Sequence, residues 1–544
     1  MLVRPFGAVC PLLLAAALTA QSNTIPGRDL RLSDTWAIQT YQRTGTYPTG
    51  NNAVGTWTTV CNPGTNPVPF MAPMTPDHAF IHWIVARESD GRLVQISNWG
   101  WVKHTFGSNN DPSSCGSCAG SGRFSYVEVG CADTYANSQA VDHFNLGPPE
   151  EVNPWTGVWV PTCSYFDRGD PPVAVNQQCD GARSFTHAQA NVLNQTIHNQ
   201  VQVHDVDLAV AGANFYWQAG YLVPAEAEAN RNDNIGSRQF FPSWNGSAWS
   251  LSDGPNMLQG SILQRWSGAT ISSNNNGNDD GRFYVAVKVT GPVDGWYHYE
   301  YAVHNRDNAR GLGALRIPVC TQASVRNFGF HDIDQDPNNA WNASKIGGEI
   351  VFTTNDNPER WNSVFNFWFD CDAAPEPGVS LALDQFDPGQ GAATVNVLSS
   401  APTGLYSYVI GPGCGNPSAP ALHAGGSPSR ASLGNANFAL RSVGNAASSS
   451  CGFLMSLVPG QLALQPGCVL YTANASTFVG PFVTTADASG LAAMPLLVPN
   501  DPALEGVDLD FQSFSVHAGG AVFGSFDLSN GLRVRIGSLI TTCP

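Results

Sequence analysis

The sequence predicts a mainly β protein made of antiparallel β-sandwich modules, the first of them loop-rich and disulfide-bearing. Three observations carry that prediction. Short alternating runs bounded by Gly, Pro, Asn and Asp recur along the chain, while helical periodicity is scarce. Setting aside Cys10, twelve cysteines remain and fall into even groups: six before residue 200, then Cys320 and Cys371, then Cys414, Cys451, Cys468 and Cys543. All fifteen tryptophans lie between Trp36 and Trp368, so the C-terminal part of the chain is packed by different rules.

Taken in order, residues 1–20 read as a secretory signal peptide. Arg4 supplies the positive end, and the apolar run 12–20 is too short to span a bilayer. Residues 21–250 form a first module rich in Cys, Trp and His. Within it, runs 79–87 and 92–102 flank Asp90-Gly91 and predict a hairpin with a two-residue turn. The best helical stretch is 186–202, where Ala188, Val192, Leu193 and Ile197 make a thin stripe. Residues 251–374 read as a second β-sandwich module, with a hairpin from 282–290 to 296–304. Pro375-Glu376-Pro377-Gly378 opens an expected linker, 375–391, before a C-terminal sandwich over 392–544. In that last body, runs 482–485 and 491–498 suggest a third hairpin, and 508–517 and 531–536 add strands. Each module is expected to close its own cysteines. Cys320 and Cys371 both end strand-like runs and are expected to pair. Closing a loop of that size contributes about 4 kcal/mol in the chain-entropy model.

Composition narrows the partners. Charged residues are 12% of the chain, about half the ~25% of ordinary domains, and the net charge is −17 with only Lys103, Lys288 and Lys345 as lysines. Such a surface excludes nucleic acid, which needs clustered cations, and anionic membrane surfaces. Membrane insertion is not expected either, because no other run approaches about eighteen apolar residues. An apolar fraction of 42% argues for folded modules.

Four groups of residues could carry chemistry. His78, His82, His104, Cys115 and Cys118 hold ligand types suited to zinc or copper. The hairpin register faces His82 with Trp99 and His78 with Lys103, and sends His104 to the opposite face. With cysteines oxidised in a secreted protein, that cluster reads as structural. His298, Glu300 and His304 share one strand face, and Tyr297, Tyr299, Tyr301 and Val303 share the other. The tyrosine face is expected in the core and the His/Glu face in water. Asp332, Asp334 and Asp336 imitate the start of a calcium loop. Pro337 and Ala343 stand where an EF-hand needs Gly and its bidentate Glu, so any calcium site there is a looser one. Trp99, Trp101, Trp155, Trp159, Trp244 and Trp249 fall in close pairs that could serve as anchors or as sugar-stacking faces. No Gly-x-Ser-x-Gly elbow, His-Glu-x-x-His or phosphate-binding loop occurs.

Several strings resemble segments of a group of uncharacterised secreted bacterial proteins. They are Trp101-Val-Lys-His104, Gly130-Cys-Ala-Asp-Thr-Tyr135, the run from Leu146 to Gly157, the run from Val203 to Gly212, Tyr299-Glu-Tyr-Ala-Val-His-Asn305, Phe330-His-Asp-Ile-Asp334 and Phe365-Asn-Phe-Trp-Phe-Asp370. The tail, with Gly411-Pro-Gly-Cys414 and Gly467-Cys468, is similar to β-sandwich modules appended to extracellular proteins. The resemblance implies a multi-module secreted β protein and brings no known activity. The expected function is therefore non-catalytic binding of an extracellular surface, a polysaccharide or a cell-surface protein. A secreted hydrolase acting on an extracellular polymer, with its site in the first module, is the alternative. A metal or redox protein using the early His/Cys cluster ranks third.

Overall fold

The computed structural model describes residues 24–537 apart from 121–122, 169–178, 194–195, 278–279, 294–295, 335, 427–429 and 475. The expected signal segment, Cys10 and Cys543 lie outside the described residues. The protein is mainly β, and every pairing between its strands is antiparallel. Six larger sheets combine as three sandwiches along the chain.

The first sandwich faces the sheet of Arg31–Thr44 and Asn51–Cys61 against one centred on Phe80–Ser89, Asn214–Leu222 and Ile235–Trp244. Leu32, Val54, Ile81, Trp83, Val85 and Trp217 meet between them. Two hydrogen bonds stitch the layers: Trp217 Nε1 donates to Thr35 Oγ1 at 2.8 Å, and the Tyr221 hydroxyl lies 2.9 Å from that of Thr58. Buried aromatic rings with a polar tip need such partners. The disulfides Cys61–Cys115, Cys118–Cys131 and Cys163–Cys179 secure its long loops. The predicted helix survives as His187–Leu193. Trp249–Asp253 and Leu258–Gln259 still pair with Ile235–Trp244, so this module passes the expected end at 250.

The second sandwich faces a sheet of Thr270–Asn275, Arg282–Val293, Trp296–Asn305, Ser363–Cys371 and Val325–His331 against another. That other sheet contains Asn342–Ile346, Glu349–Thr353, Leu312–Pro318, Ala374–Gln385 and Thr394–Gly404. The expected linker 375–391 is thus mostly a core strand, and the second module runs to about residue 404. Val379, Leu381 and Leu383 alternate inward like any half-buried strand. Pro375 and Pro377 misled because they fall where the register shifts, and bulges tolerate a residue that cannot donate. The expected Cys320–Cys371 pair is not formed. Cys371 ends a strand of one sheet opposite Tyr297 and Val325, while Cys320 N bonds Pro402 O at 3.2 Å beside the facing sheet. Cys371 keeps a buried thiol, pushed up to about 12 by burial, and Cys320 is bonded elsewhere.

The first and second sandwiches are also stacked on one another. Ile84, Ala86, Leu93 and Tyr216 pack against Ala286, Ala302 and Val364, with Ile262, Leu263 and Trp266 filling the side. Two hydrogen bonds cross this boundary: Val364 N donates to Gln95 Oε1 at 2.9 Å and Asn366 Nδ2 to Leu93 O at 3.0 Å.

The third sandwich begins at Ser407–Gly411. It packs Phe453, Phe511 and Val534 of one sheet on Leu422, Phe438 and Leu440 of another. Its apolar core is small-residue and phenylalanine-rich, as the tryptophan-free composition implied. The expected hairpin of 482–485 with 491–498 is not made. Phe478–Thr485 pairs with Ser450–Ser456, whereas Ala492–Pro495 crosses to Phe438–Val443 in the facing sheet. Cys414 pairs with Cys468, and Cys451 carries a buried free thiol.

Candidate binding cleft

A cleft of about 670 Å³ opens where the second and third sandwiches meet. That size suits a small-molecule or sugar ligand. The second sandwich contributes Trp296 and Tyr297 at the start of Trp296–Asn305, with Ser324 and Asp372 nearby. The third contributes Tyr406 and Tyr408, entering along Ser407–Gly411, together with His423, Arg430 and Arg441.

Each aromatic ring is held by a neighbour. The Arg326 guanidinium stacks 3.8 Å from the centre of the Trp296 ring, and Arg430 lies 5.9 Å from that of Tyr406. Arg533 Nη1 donates to the Tyr408 hydroxyl at 3.2 Å while its other nitrogens grip Asp510 at 2.7 and 2.9 Å. Tyr297 is pushed up to about 12, first by burial and then by Tyr406 beside it. His423 and Arg441 are direct cross-strand partners, so they share a face. A Cβ on Gly425 would come within 2.7 Å of Arg441 Cδ, so the glycine gives that side chain its path. Two guanidinium groups and an imidazole thus gather with one carboxylate in a chain of net charge −17. The chemistry on offer is stacking against flat or ring-shaped faces, with forked donors for carboxylate or sulfate.

The His/Cys cluster has a different geometry from the one expected. The hairpin turn is as predicted, with Asp90 and Gly91 both at positive φ and Ala86 paired with Gln95. Beyond it, Ile96 N and Ser97 N both donate to Val85 O, and pairing resumes at Ile81↔Lys103 and Phe80↔His104. That slip is odd-numbered, so it turns His104 onto the face of His78, Phe80 and His82. His78 Nε2 lies 3.0 Å from His104 Nδ1 among Phe80, Trp159 and Phe166. Burial lowers His78 to about 4 and holds His104 well below the ordinary imidazole value. Cys115 and Cys118 are in disulfides with Cys61 and Cys131. The two cysteines and the histidine pair are therefore packing elements.

His298 and Glu300 do share a face, with Nε2 and Oε2 3.3 Å apart, and Asp370 joins from the next strand at 2.9 Å. Tyr299 and Tyr301 point into the core as expected. The opposite face is solvated only at His298, because the first sandwich covers Glu300 and His304. Glu300 is gripped by Arg92 through two bonds of 2.6 Å, and His304 is buried against Ser261 at 2.8 Å. Asp332, Asp334 and Asp336 do not converge. Each carboxylate accepts a backbone N–H two residues on, giving consecutive turns, and Asn357 also binds Asp332. Among the described residues no group of three His, Cys, Asp or Glu is placed to hold a metal ion. Of the paired tryptophans, Trp155, Trp159 and Trp249 are buried anchors, while Trp244 stacks on Tyr47 at 4.6 Å.

Sequence reasoning missed the cleft because its lining comes from segments scattered between Trp296 and Leu532. One signal was present. From residue 392 onward the chain has four cationic side chains. Two of them, Arg430 and Arg441, line the cleft.

No family model matches the chain, and no curated protein matches it. Among solved structures, the chain is similar to BcpA, the major pilin subunit of Bacillus cereus. For a form of that pilin carrying one Asp-to-Ala substitution, the identity is 11%, covering 62% of this chain and 84% of that one, with a TM-score of 0.16. The form without that substitution gives 10% identity, the same coverage and the same TM-score. A tetra-tandem repeat from the extending region of a large adhesion protein gives 8% identity over 92% of this chain and 99% of that one, with a TM-score of 0.14.

Proposed function

We propose that the protein is a non-catalytic extracellular binding protein whose cleft between the second and third sandwiches takes a polysaccharide, with acidic sugars favoured. The single observation that carries this reading is the cleft itself: Trp296, Tyr297, Tyr406 and Tyr408 with Arg430 and Arg441 in about 670 Å³. Aromatic faces stack on the apolar faces of sugar rings, and arginine forks match carboxylate oxygens. Asp372 is the one carboxylate among the lining residues, whereas glycoside cleavage ordinarily uses two facing carboxylates. Formed disulfides in the first and third sandwiches suit an oxidising, extracellular setting.

A glycan array followed by calorimetry tests the proposal. An acidic polysaccharide should bind without being shortened, and Trp296→Ala or Tyr406→Ala should weaken it about tenfold or more, the scale of one lost aromatic anchor. Binding untouched by either variant, or product sugars released on incubation, would contradict it. Released products would favour the hydrolase alternative.

A further inference from the structure

Lys103 is one of three lysines in the chain, and its side chain is fully buried. It lies on Val102–His104, opposite Leu146 of the neighbouring edge strand Leu146–Gly147. His104 N donates to Asn145 O at 3.0 Å, which fixes Asn145 against the same strand. A lysine ammonium has three N–H donors to satisfy. The hydrogen bond it makes here is to Asp142 Oδ2 at 3.3 Å, with the Phe106 ring also facing it. Such a buried ion is poorly provided for. Burial brings the amine down to about 8, with Arg183 adding like charge against the pull of Asp142.

The same oxygen, Asp142 Oδ2, accepts from Asn145 Nδ2 at 2.7 Å. Arg183 Nη2 donates to Asn145 Oδ1 at 3.4 Å. An amine, a carboxylate base and a carboxamide whose oxygen faces a guanidinium are thus assembled at one sheet edge.

We propose that the folded chain joins Lys103 to Asn145 by an intramolecular amide bond, with Asp142 moving the proton. Neutral Nζ attacks Asn145 Cγ, and the Cγ–Nδ2 bond breaks. Asp142 takes the proton from Nζ and passes it to the departing nitrogen, which leaves as ammonia. No oxidant or reductant is consumed. Arg183 stabilises the negative charge that develops on Oδ1. The product amide has a single N–H to satisfy, and Asp142 Oδ2 is placed to accept it. The bond would tie the edge strand to the sheet across the loop whose cysteines form Cys61–Cys115 and Cys118–Cys131.

Mass spectrometry of the purified full-length protein, reduced, alkylated and digested, tests this without any substitution. The expected result is a branched peptide linked between Lys103 and Asn145, lighter than its two parts by one ammonia. Linear peptides with a free Lys103 and an intact Asn145, recovered from folded protein, would overturn the proposal. A bridge to Asp142, lighter by one water, would overturn the assignment of the two reacting groups. The variant Asp142→Ala should leave the peptides unlinked, and a bridge surviving in that variant would remove Asp142 from the reaction.

Discussion

At the residue scale, buried titratable groups set how the protein responds to pH. His78 and His82 are lowered to about 4 and His304 to about 3, in each case chiefly by burial. A depressed imidazole binds fewer protons folded than unfolded. Stability from these groups is therefore complete above their unfolded value of 6.5 and declines as pH falls toward 4. Glu226 works in the other direction. Burial raises it to about 8 although Leu30 N donates to it at 2.8 Å. Its contribution is complete below its unfolded value of 4.5 and is lost as pH rises through 8. Stability against urea should therefore peak between these limits. The variant Glu226→Gln, which stays neutral, should remove the decline between about pH 6 and 9. An alkaline limb unchanged in that variant would show that another group governs it.

At the element scale, Arg92 is one of many polar anchors between the first two sandwiches. Arg92 binds Glu300 through two bonds of 2.6 Å and lies 3.6 Å from the centre of the Trp368 ring. Arg92→Ala leaves Glu300 buried beside His298 alone and should cost about 3 kcal/mol in denaturant unfolding. Adding Glu300→Gln should restore part of that loss, and a simple sum of the two effects would show that the pair is uncoupled. Strand Thr394–Gly404 makes a second test. A chain ending at 404 should fold, whereas one ending at 391 should lose cooperative unfolding, because Val395 and Val397 are core residues. Equal stability of both would refute the boundary.

These same elements show what could be read from sequence. Alternation placed Tyr299 and Tyr301 in the core, and Asp90-Gly91 gave the turn and its first pairs. The slip after Gln95 has no local signature, so the face of His104 was lost with it. Strand Ala374–Gln385 was hidden by prolines that occupy bulges. Cys320 and Cys371 end strands of comparable appearance, and nothing local in the sequence shows that Cys320 is bonded elsewhere while Cys371 keeps its thiol.

At the scale of the whole molecule, the first two sandwiches form one continuous stack of four sheets, with the third sandwich joined at its end. The tryptophans stop at Trp368, and the third core is built on Phe438, Phe453 and Phe511 instead. The cleft was invisible in the chain, since Trp296, Asp372, Tyr406 and Arg441 belong to four separate segments of two modules. The central claim is that binding belongs to the junction and to neither module alone. The direct test is calorimetry of an acidic polysaccharide with residues 24–537, with 24–404 and with 405–537. The account predicts binding by the first chain and none by either fragment, although both fragments fold. A fragment that binds as tightly as the whole chain would contradict it.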